Sequence, residues 1–390
     1  MTSSRNDIFL SRGMILFYAA FLLAFPFASG LSKVNNLFHV SLIFFLAIFF
    51  SNKKRRDDLV KKTELKKGII IITLFLFYFS MSTLWSSDTD TFLSELTHGF
   101  YILIFIIIFS IVSSFGKKNT IMSAVLIGTL ILLLLTFICV DKKTLFTGRL
   151  QEGFSLAPEN VIDMAGYYGI GIFCCLILIR ETGQKWLYIP VISLLFGMLL
   201  TQSRGPLLSL FVACIPLLVF KRIRLSHLLI IMISITAIVL IVAFANADLI
   251  LRRIEMSYSQ SFIRFGIWEN ALGYIQQKPW FGWGFNKELD FVNSIGQRVH
   301  TTHSLYVATL LKGGIVGGLL LLSVIAYGLF MGWQQIKEGH ALETSMFLFS
   351  LLFYLTQGMF LISNPSVSWI MFWLPLAVVM TLSKRQLFSR

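Results

Sequence analysis

The sequence predicts an all-α, polytopic integral membrane protein. Of its 390 residues, 56% are hydrophobic and only 13% are charged, whereas soluble domains carry about 25% charged residues. Apolar runs of about 17–22 residues recur from Met14 to Leu382, which is the length needed to cross roughly 30 Å of hydrocarbon. Polar residues gather in a few connecting stretches. These observations exclude a water-soluble globular protein.

We place about twelve membrane spans along the chain by the length and continuity of the apolar runs. The predicted spans are 14–31, 38–51, 68–86, 99–115, 121–140, 163–179, 186–202, 206–220, 227–246, a span beginning at 303 or 314 and ending by 331, 344–363 and 367–382. We expect one membrane domain over 1–390, with a large outer loop at 247–302. The four cysteines all lie within apolar runs and lack metal-type spacing, so they are expected to face lipid or the core.

The distribution of basic residues predicts that both termini are cytoplasmic. The stretch 53–67 contains eight Lys and Arg, whereas 86–96 contains three acidic residues and no Lys or Arg. Basic residues favour the cytoplasmic side of a membrane protein. The net charge of +14 is therefore explained by orientation, and no nucleic-acid partner is expected. The first apolar run is interpreted as a retained anchor rather than a cleaved signal peptide.

The outer loop contains a predicted amphipathic helix at 262–277. Its apolar residues recur near the 3.6-residue period of a helix, and Pro279 ends it because proline cannot continue the hydrogen-bond ladder. The following segment, Trp280-Phe281-Gly282-Trp283-Gly284-Phe285, is expected to form a tight aromatic turn at the membrane interface, where tryptophan is enriched.

Three arginines are candidate anion ligands on the outer side. Arg204 lies between the seventh and eighth spans, and the following Gly205-Pro206 would open a helix whose N-terminus favours anions. Arg264 interrupts the apolar side of the amphipathic helix, and Arg149 lies in a loop rich in turn residues. Each arginine has a simpler reading, in which it reaches lipid headgroups or solvent. Together they would suit a diphosphate, because guanidinium pairs bidentately with phosphate oxygens.

His303 is the most informative single residue of the outer loop. It stands where the loop returns to the membrane, and an interfacial histidine can act as a general base near neutral pH; the alternative is a structural hydrogen-bond donor. His300 could share its helical face, but no carboxylates accompany the pair, so a metal site is not expected. The sequence has no glycine-rich nucleotide loop and no serine-hydrolase elbow.

These motifs resemble the bacterial O-antigen ligase and O-antigen polymerase superfamily of membrane glycosyltransferases. His303-Ser304, nine further residues and Gly314-Ile315-Val316-Gly317 are similar to the histidine motif of the ligase branch. Ser203-Arg204-Gly205 resembles the family's arginine at the end of a central span. Arg264 followed by Trp268, and then the aromatic turn, is similar to its outer-loop helix, and Arg149 before Pro158-Glu159-Asn160 is a weaker element. Thr302 stands where some ligases have a second histidine.

The resemblance implies an inverting, metal-independent glycosyltransferase that needs no cofactor. The donor would be a glycan on undecaprenyl diphosphate at the outer face of the bacterial inner membrane, and the acceptor would be lipid A-core. His303, Arg264 and Arg204 would be the catalytic residues, with the active site facing the periplasm. The diphosphate and the acceptor would be bound by Arg204, Arg264, Arg149, His300, Ser304 and Trp268.

Three alternatives remain at this point. A polymerase of the same superfamily would join lipid-linked repeat units to one another. A protein O-oligosaccharyltransferase would usually carry a further soluble domain, and a transporter would usually show inverted repeats or ionisable residues at mid-membrane. The polar groups of this chain gather instead at the outer ends of the predicted spans, which argues against a transporter. The single outer loop of moderate size and the histidine motif favour the ligase over the polymerase.

Overall fold

The computed structural model describes residues 5–51, 63–87, 89–141, 150, 154–158, 160–220, 247–293, 296–358 and 360–381. The helices are α1 (Arg5–Ala28), α2 (Asn35–Ser51), α3 (Thr63–Ser82), α4 (Phe92–Ser114), α5 (Lys118–Cys139), α6 (Val161–Thr182), α7 (Tyr188–Leu200), α8 (Arg204–Ala213), α9 (Ile215–Val219), α10 (Ala247–Gln277), α11 (Leu305–Lys337), α12 (Ala341–Phe353) and α13 (Leu374–Met380). Two short strands, β1 (Phe291–Val292) and β2 (Arg298–Val299), pair antiparallel. A π-helical turn at Trp369–Trp373 leads into α13.

The helices confirm the predicted all-α, multi-pass membrane fold. Within the described ranges, seven helices are long and apolar enough to cross a membrane: α1 to α6 and α11. Shorter apolar helical segments cover Lys185–Leu200, Arg204–Val219, Ala341–Phe353 and Trp369–Met380. The predicted span at 227–246 lies outside the described residues, so the number of about twelve spans stays a prediction.

The predicted span at 344–363 is wrong in its second half. Helix α12 ends at Phe353, and residues 354–358 and 360–366 form no helix. Hydropathy could not reveal this end, because the residues after Phe353 are still largely apolar. The segment 354–358, which we call the α12 loop, proves central to the candidate site.

The hydrophobic core is built around α6 and an aromatic cluster. In α6 nearly every side chain from Asp163 to Leu178 is buried, so this helix lies inside the bundle. The indole of Trp369 packs edge-on against Phe38, with ring centroids 4.8 Å apart, and also contacts Phe105 at 5.1 Å. Such aromatic pairs add to the free energy gained from burial. All four cysteines are free thiols.

A buried ion pair joins three helices at the end of the bundle where α12 begins. The carboxylate of Glu343, 1% exposed, accepts hydrogen bonds from Arg180 Nη1 at 2.8 Å and Nη2 at 2.6 Å. Lys118 Nζ donates to the same carboxylate at 2.5 Å. The group therefore ties the start of α5 and the end of α6 to the first turn of α12.

Replacing Glu343 with glutamine is expected to destabilise the fold, because two cations would lose their buried counter-charge. Removing one partner of a buried ion pair costs about 3–5 kcal/mol in the free energy of unfolding. Thermal unfolding of the detergent-solubilised protein would show a lower Tm. The matched control is Glu288→Gln, because the Glu288 side chain is 72% exposed beside His300. Equal Tm values for the two variants would contradict a stabilising role for Glu343.

Candidate functional site

Helix α11 is broken at Gly314, and the aromatic turn after α10 supplies the missing hydrogen bonds. Gly314 has φ 60° and ψ −160°, which no helical residue adopts. The backbone hydrogen bonds across the break run from Ile315 N–H to Pro279 C=O (2.8 Å), Val316 N–H to Trp280 C=O (3.1 Å), Trp283 N–H to Leu311 C=O (3.0 Å) and Gly284 N–H to Lys312 C=O (2.9 Å). The turn thus replaces the helical bonds that the break removes, and a broken helix becomes tolerable at membrane depth.

The glycines of the turn and of the break permit this close approach of two backbones. A methyl group on Gly314 would lie 2.4 Å from the carbonyl oxygen of Trp280, and one on Gly282 would lie 2.5 Å from the carbonyl oxygen of Lys312. Gly317, the second glycine of the motif, packs against the ring of Phe79. The glycine motif is therefore explained by packing, and the break at Gly314 separates the first part of α11, which follows His303 in the chain, from the rest of the helix.

Replacing Gly314 with alanine is expected to destabilise this region, because both the backbone conformation and the available space require glycine. We expect a loss of about 2–5 kcal/mol in the free energy of unfolding from strain and overpacking. Gly273→Ala is the matched control, since a methyl group there meets nothing within 4 Å; in mid-helix it should be favourable by about 1 kcal/mol. Thermal unfolding of both variants measures the difference, and equal stability would contradict the argument.

His303 has a strained backbone that is held by the α12 loop. It lies just before α11 with φ 48°, a left-handed conformation that is uncommon for residues other than glycine. A methyl group on Gly358 would lie 2.5 Å from the backbone nitrogen of His303. Two residues further on, the N–H of Leu305 donates to the carbonyl of Tyr354 at 3.1 Å. Strain of this kind persists only where the surroundings enforce it.

Arg264 is half-buried on α10, close enough to His303 for its charge to act on the imidazole. This part of α10 packs through Ile267 and Ala271 onto Leu289 and Leu311, in a small hydrophobic cluster separate from the main core. The neighbouring Trp268 donates its indole N–H to the carbonyl of Thr302 at 2.9 Å, which fixes α10 against the residue before His303. The amphipathic helix predicted at 262–277 is thus confirmed, although it begins earlier, at Ala247.

The surroundings of His303 favour its neutral form. Burial lowers the pKa of His303 below its usual value, and the positive charge of Arg264 lowers it further. Burial also lowers the pKa of Arg264, but a guanidinium remains charged at physiological pH. The site therefore presents an imidazole able to accept a proton next to a fixed cation.

Arg204 is the first residue of α8, and the start of this helix also contacts the α12 loop. Its neighbour Gly205 faces Thr356, whose hydroxyl oxygen would be 2.6 Å from a methyl group at that glycine. Because Thr356 is two residues before Gly358, the same short loop contacts the start of α8 and the backbone of His303. Arg204 is exposed. The structure thus assembles the beginnings of α8 and α11 around the α12 loop.

The remaining predicted site residues have different positions. His300 does not share a helical face with His303, because β2 ends at Val299 and α11 begins only at Leu305. Its side chain is 55% exposed, with Nδ1 3.6 Å from a carboxylate oxygen of Glu288. Ser304 is buried as the residue preceding α11. Arg149 lies outside the described residues.

Sequence reasoning missed the α12 loop and the buried amine of Lys312. Gln357-Gly358 is a polar, flexible pair inside an apolar run, and this local signal could have marked the end of α12. Lys312 lies inside α11, where its ammonium donates to the carbonyl of Phe285 and lies over the ring of Phe360, 5.6 Å from its centroid. Lys312 thus binds the last residue of the aromatic turn.

Among the described residues, one group of potential metal ligands lies far from His303. Glu181, His340 and Glu343 place their ligand atoms within 4.8 Å of one another. This group surrounds the first turn of α12, whereas His303 contacts the segment after its last turn. The carboxylate of Glu343 is already paired with two cations, so the group is a structural charge cluster.

Comparison with known proteins finds similarity to O-antigen ligases. Residues 189–322 match the family model described as O-antigen ligase, a range from α7 into α11 that contains Arg204, Arg264 and His303. An O-antigen ligase of Pseudomonas aeruginosa is 31% identical over 205 residues, which are 52% of this chain and 49% of that relative. The chain therefore spans about half the length of the curated relative it matches. The two matches confirm the similarity to the O-antigen ligase superfamily that the motifs of this chain predict.

Proposed function

We propose that the protein is an O-antigen ligase, which transfers a glycan from undecaprenyl diphosphate to lipid A-core. The observation that carries this proposal is the half-buried pair of His303 and Arg264 at one end of a membrane bundle, a neutral base beside a fixed cation. A diphosphate leaving group needs positive charge, and a sugar hydroxyl needs a base. The match of residues 189–322 to the O-antigen ligase family model and the similarity to a curated O-antigen ligase support the choice of substrates.

The proposed reaction is a single displacement at the anomeric carbon. His303 takes the proton from a hydroxyl of the acceptor sugar, and that oxygen attacks the anomeric carbon from the face opposite the diphosphate. The bond between the anomeric carbon and the phosphate oxygen breaks, and undecaprenyl diphosphate leaves. The configuration at the anomeric carbon is inverted in the product. Arg264 and Arg204 stabilise the charge that builds on the leaving oxygens.

The other predicted residues have supporting roles in this proposal. Trp268 holds α10 against Thr302. Ser304 connects His303 to the first residue of α11. His300, on the exposed hairpin, would contact the acceptor glycan, and Arg149 would add a further cation to the diphosphate site. The proposed reaction needs no nucleotide, because the bond to the diphosphate of the donor already supplies the driving force. It is also proposed to be metal-independent, with the arginines supplying the positive charge at the diphosphate. The active site would face the periplasm, with both termini in the cytoplasm.

Deletion of the gene provides the test of this function. A ligase predicts bare lipid A-core together with accumulation of the O-polymer on its lipid carrier, since transfer alone is blocked. Electrophoresis of lipopolysaccharide and analysis of lipid-linked glycans measure the two products. Core bearing a single repeat unit would show instead that the protein is a polymerase, and unchanged lipopolysaccharide would contradict both functions.

The pH dependence of transfer is expected to report the environment of His303. A base must be unprotonated, so kcat/KM, which reports groups of the free enzyme, falls as the pH drops through the pKa of that base. Because burial and the charge of Arg264 lower the pKa of His303, the acid limb of kcat/KM should lie below the ordinary histidine value of about 6.5. Replacing Arg264 with glutamine removes the repulsion, raises the pKa of His303 and should move the acid limb to higher pH. Arg298→Gln, on the exposed hairpin, is the control. An unchanged acid limb in the Arg264 variant would contradict the assignment of the limb to His303.

A further inference from the structure

A buried hydrogen bond connects α6 to the α12 loop directly behind the candidate site. The amide nitrogen of Gln357 donates to a carboxylate oxygen of Asp163. Asp163 is 4% exposed and Gln357 is 2% exposed. Burying a carboxylate is costly unless its hydrogen bonds are satisfied, so this pair needs an explanation.

The pair belongs to a small group of buried polar side chains within a largely apolar interior. The hydroxyls of Tyr167 and Tyr354 are buried, and neither has a hydrogen-bond partner among the described residues. Both tyrosines are close enough to Asp163 to interact with its charge. Asp163 lies in the first turn of α6, which Asn160 caps by accepting the N–H of Ile162 at 2.9 Å. Asp163 is thus attached to a helix that is buried over nearly its whole length.

The α12 loop contacts the candidate site through the residues on both sides of Gln357. We call the hydrogen bond from Gln357 to Asp163 the tether. Thr356, the preceding residue, packs against Gly205 beside Arg204, and Gly358, the following residue, packs against the backbone nitrogen of His303. The left-handed backbone of His303 requires support from its surroundings. The tether is the side-chain hydrogen bond that joins this support to the core.

We propose that Asp163 is a positioning residue that acts through Gln357 to hold the α12 loop, and thereby His303, in the catalytic geometry. This inference rests on the proposed function only in assigning a catalytic task to His303; the geometry that it describes is independent of the substrate. Neither residue touches the reacting groups. Their contribution is to prevent misplacement of His303, because a shift of about 1 Å in a catalytic group can lower the rate about 10²-fold.

The test combines catalysis with a direct chemical probe of His303. Full-length Asp163→Leu, Gln357→Leu and Asp163→Asn variants are purified, and kcat for glycan transfer is measured. The rate at which diethyl pyrocarbonate modifies His303 is followed separately by mass spectrometry. Gln335→Leu is the matched control, since Gln335 is also 2% exposed and its amide likewise joins two helical segments, at the far end of α11 through the carbonyls of Val379 and Thr381.

Both leucine variants are expected to lower kcat by about 10-fold to 100-fold and to change the modification rate of His303 at least about threefold. Asp163→Asn should stay near wild type in both measurements, because its amide oxygen can still accept the hydrogen bond of Gln357. Gln335→Leu should leave both unchanged. Wild-type values in the leucine variants would overturn the proposal, as would an asparagine variant as impaired as the leucine one. The modification rate needs no glycan transfer, so failure of the proposed function would be distinguishable from failure of the tether.

Discussion

His303→Asn is expected to reduce glycan transfer by about 10²–10⁴-fold, the range that general-base catalysis contributes. Asparagine tolerates the left-handed backbone of position 303 far better than most residues do. Its amide can form hydrogen bonds, but it cannot take a proton from the acceptor hydroxyl. The substitution therefore removes the base while it spares the backbone that Gly358 supports. Transfer is measured with purified enzyme, lipid-linked donor and lipid A-core acceptor.

The control for this variant is His98→Ala. The imidazole of His98 lies 3.4 Å from a carboxylate oxygen of Glu95 on the same helix, outside the proposed site. We expect nearly unchanged kcat for this variant. Wild-type kcat in His303→Asn would show that His303 is a structural donor, and the base would have to be sought elsewhere.

Arg264→Gln is expected to produce the second large effect, a loss of about 10²–10³-fold in kcat, because a fixed cation at the leaving group stabilises the transition state. Arg264 is half-buried beside His303, where charge acts more strongly than in water. Arg264→Lys should restore only part of the activity, since an ammonium keeps the charge but loses the planar, bidentate pairing with phosphate oxygens. The KM for the donor should rise if Arg264 also binds the diphosphate before reaction.

Arg298→Gln controls for the loss of an arginine from the same loop. Arg298 pairs with Asp290 at 2.8 Å on the hairpin, and its side chain is 66% exposed. We expect unchanged kcat and KM for this variant. If Arg264→Gln behaved in the same way, the guanidinium would serve only packing or headgroup contacts, which is the simpler interpretation of its position in the sequence.

The aromatic turn shows where sequence reasoning succeeded and where it stopped. Its glycines and the proline before it predicted a tight turn from local conformational preferences alone. The partner of the turn could not be predicted, because the break at Gly314 lies some thirty residues further along the chain and only tertiary packing brings the two together. The reason for the glycine spacing of the histidine motif became visible only in that contact.

The sequence by itself determined the class of the protein and the residues that could do chemistry. Apolar run length predicted the membrane helices, and rare polar residues next to them, Arg204, Arg264 and His303, predicted the site, since such groups are costly near a membrane unless they have a task. Only the tertiary structure decided how these residues are held. The α12 loop lies within a predicted span, and its tether joins Gln357 to Asp163. Neither could be predicted, because hydropathy is averaged over neighbouring side chains and carries no information about contacts between residues far apart in the sequence.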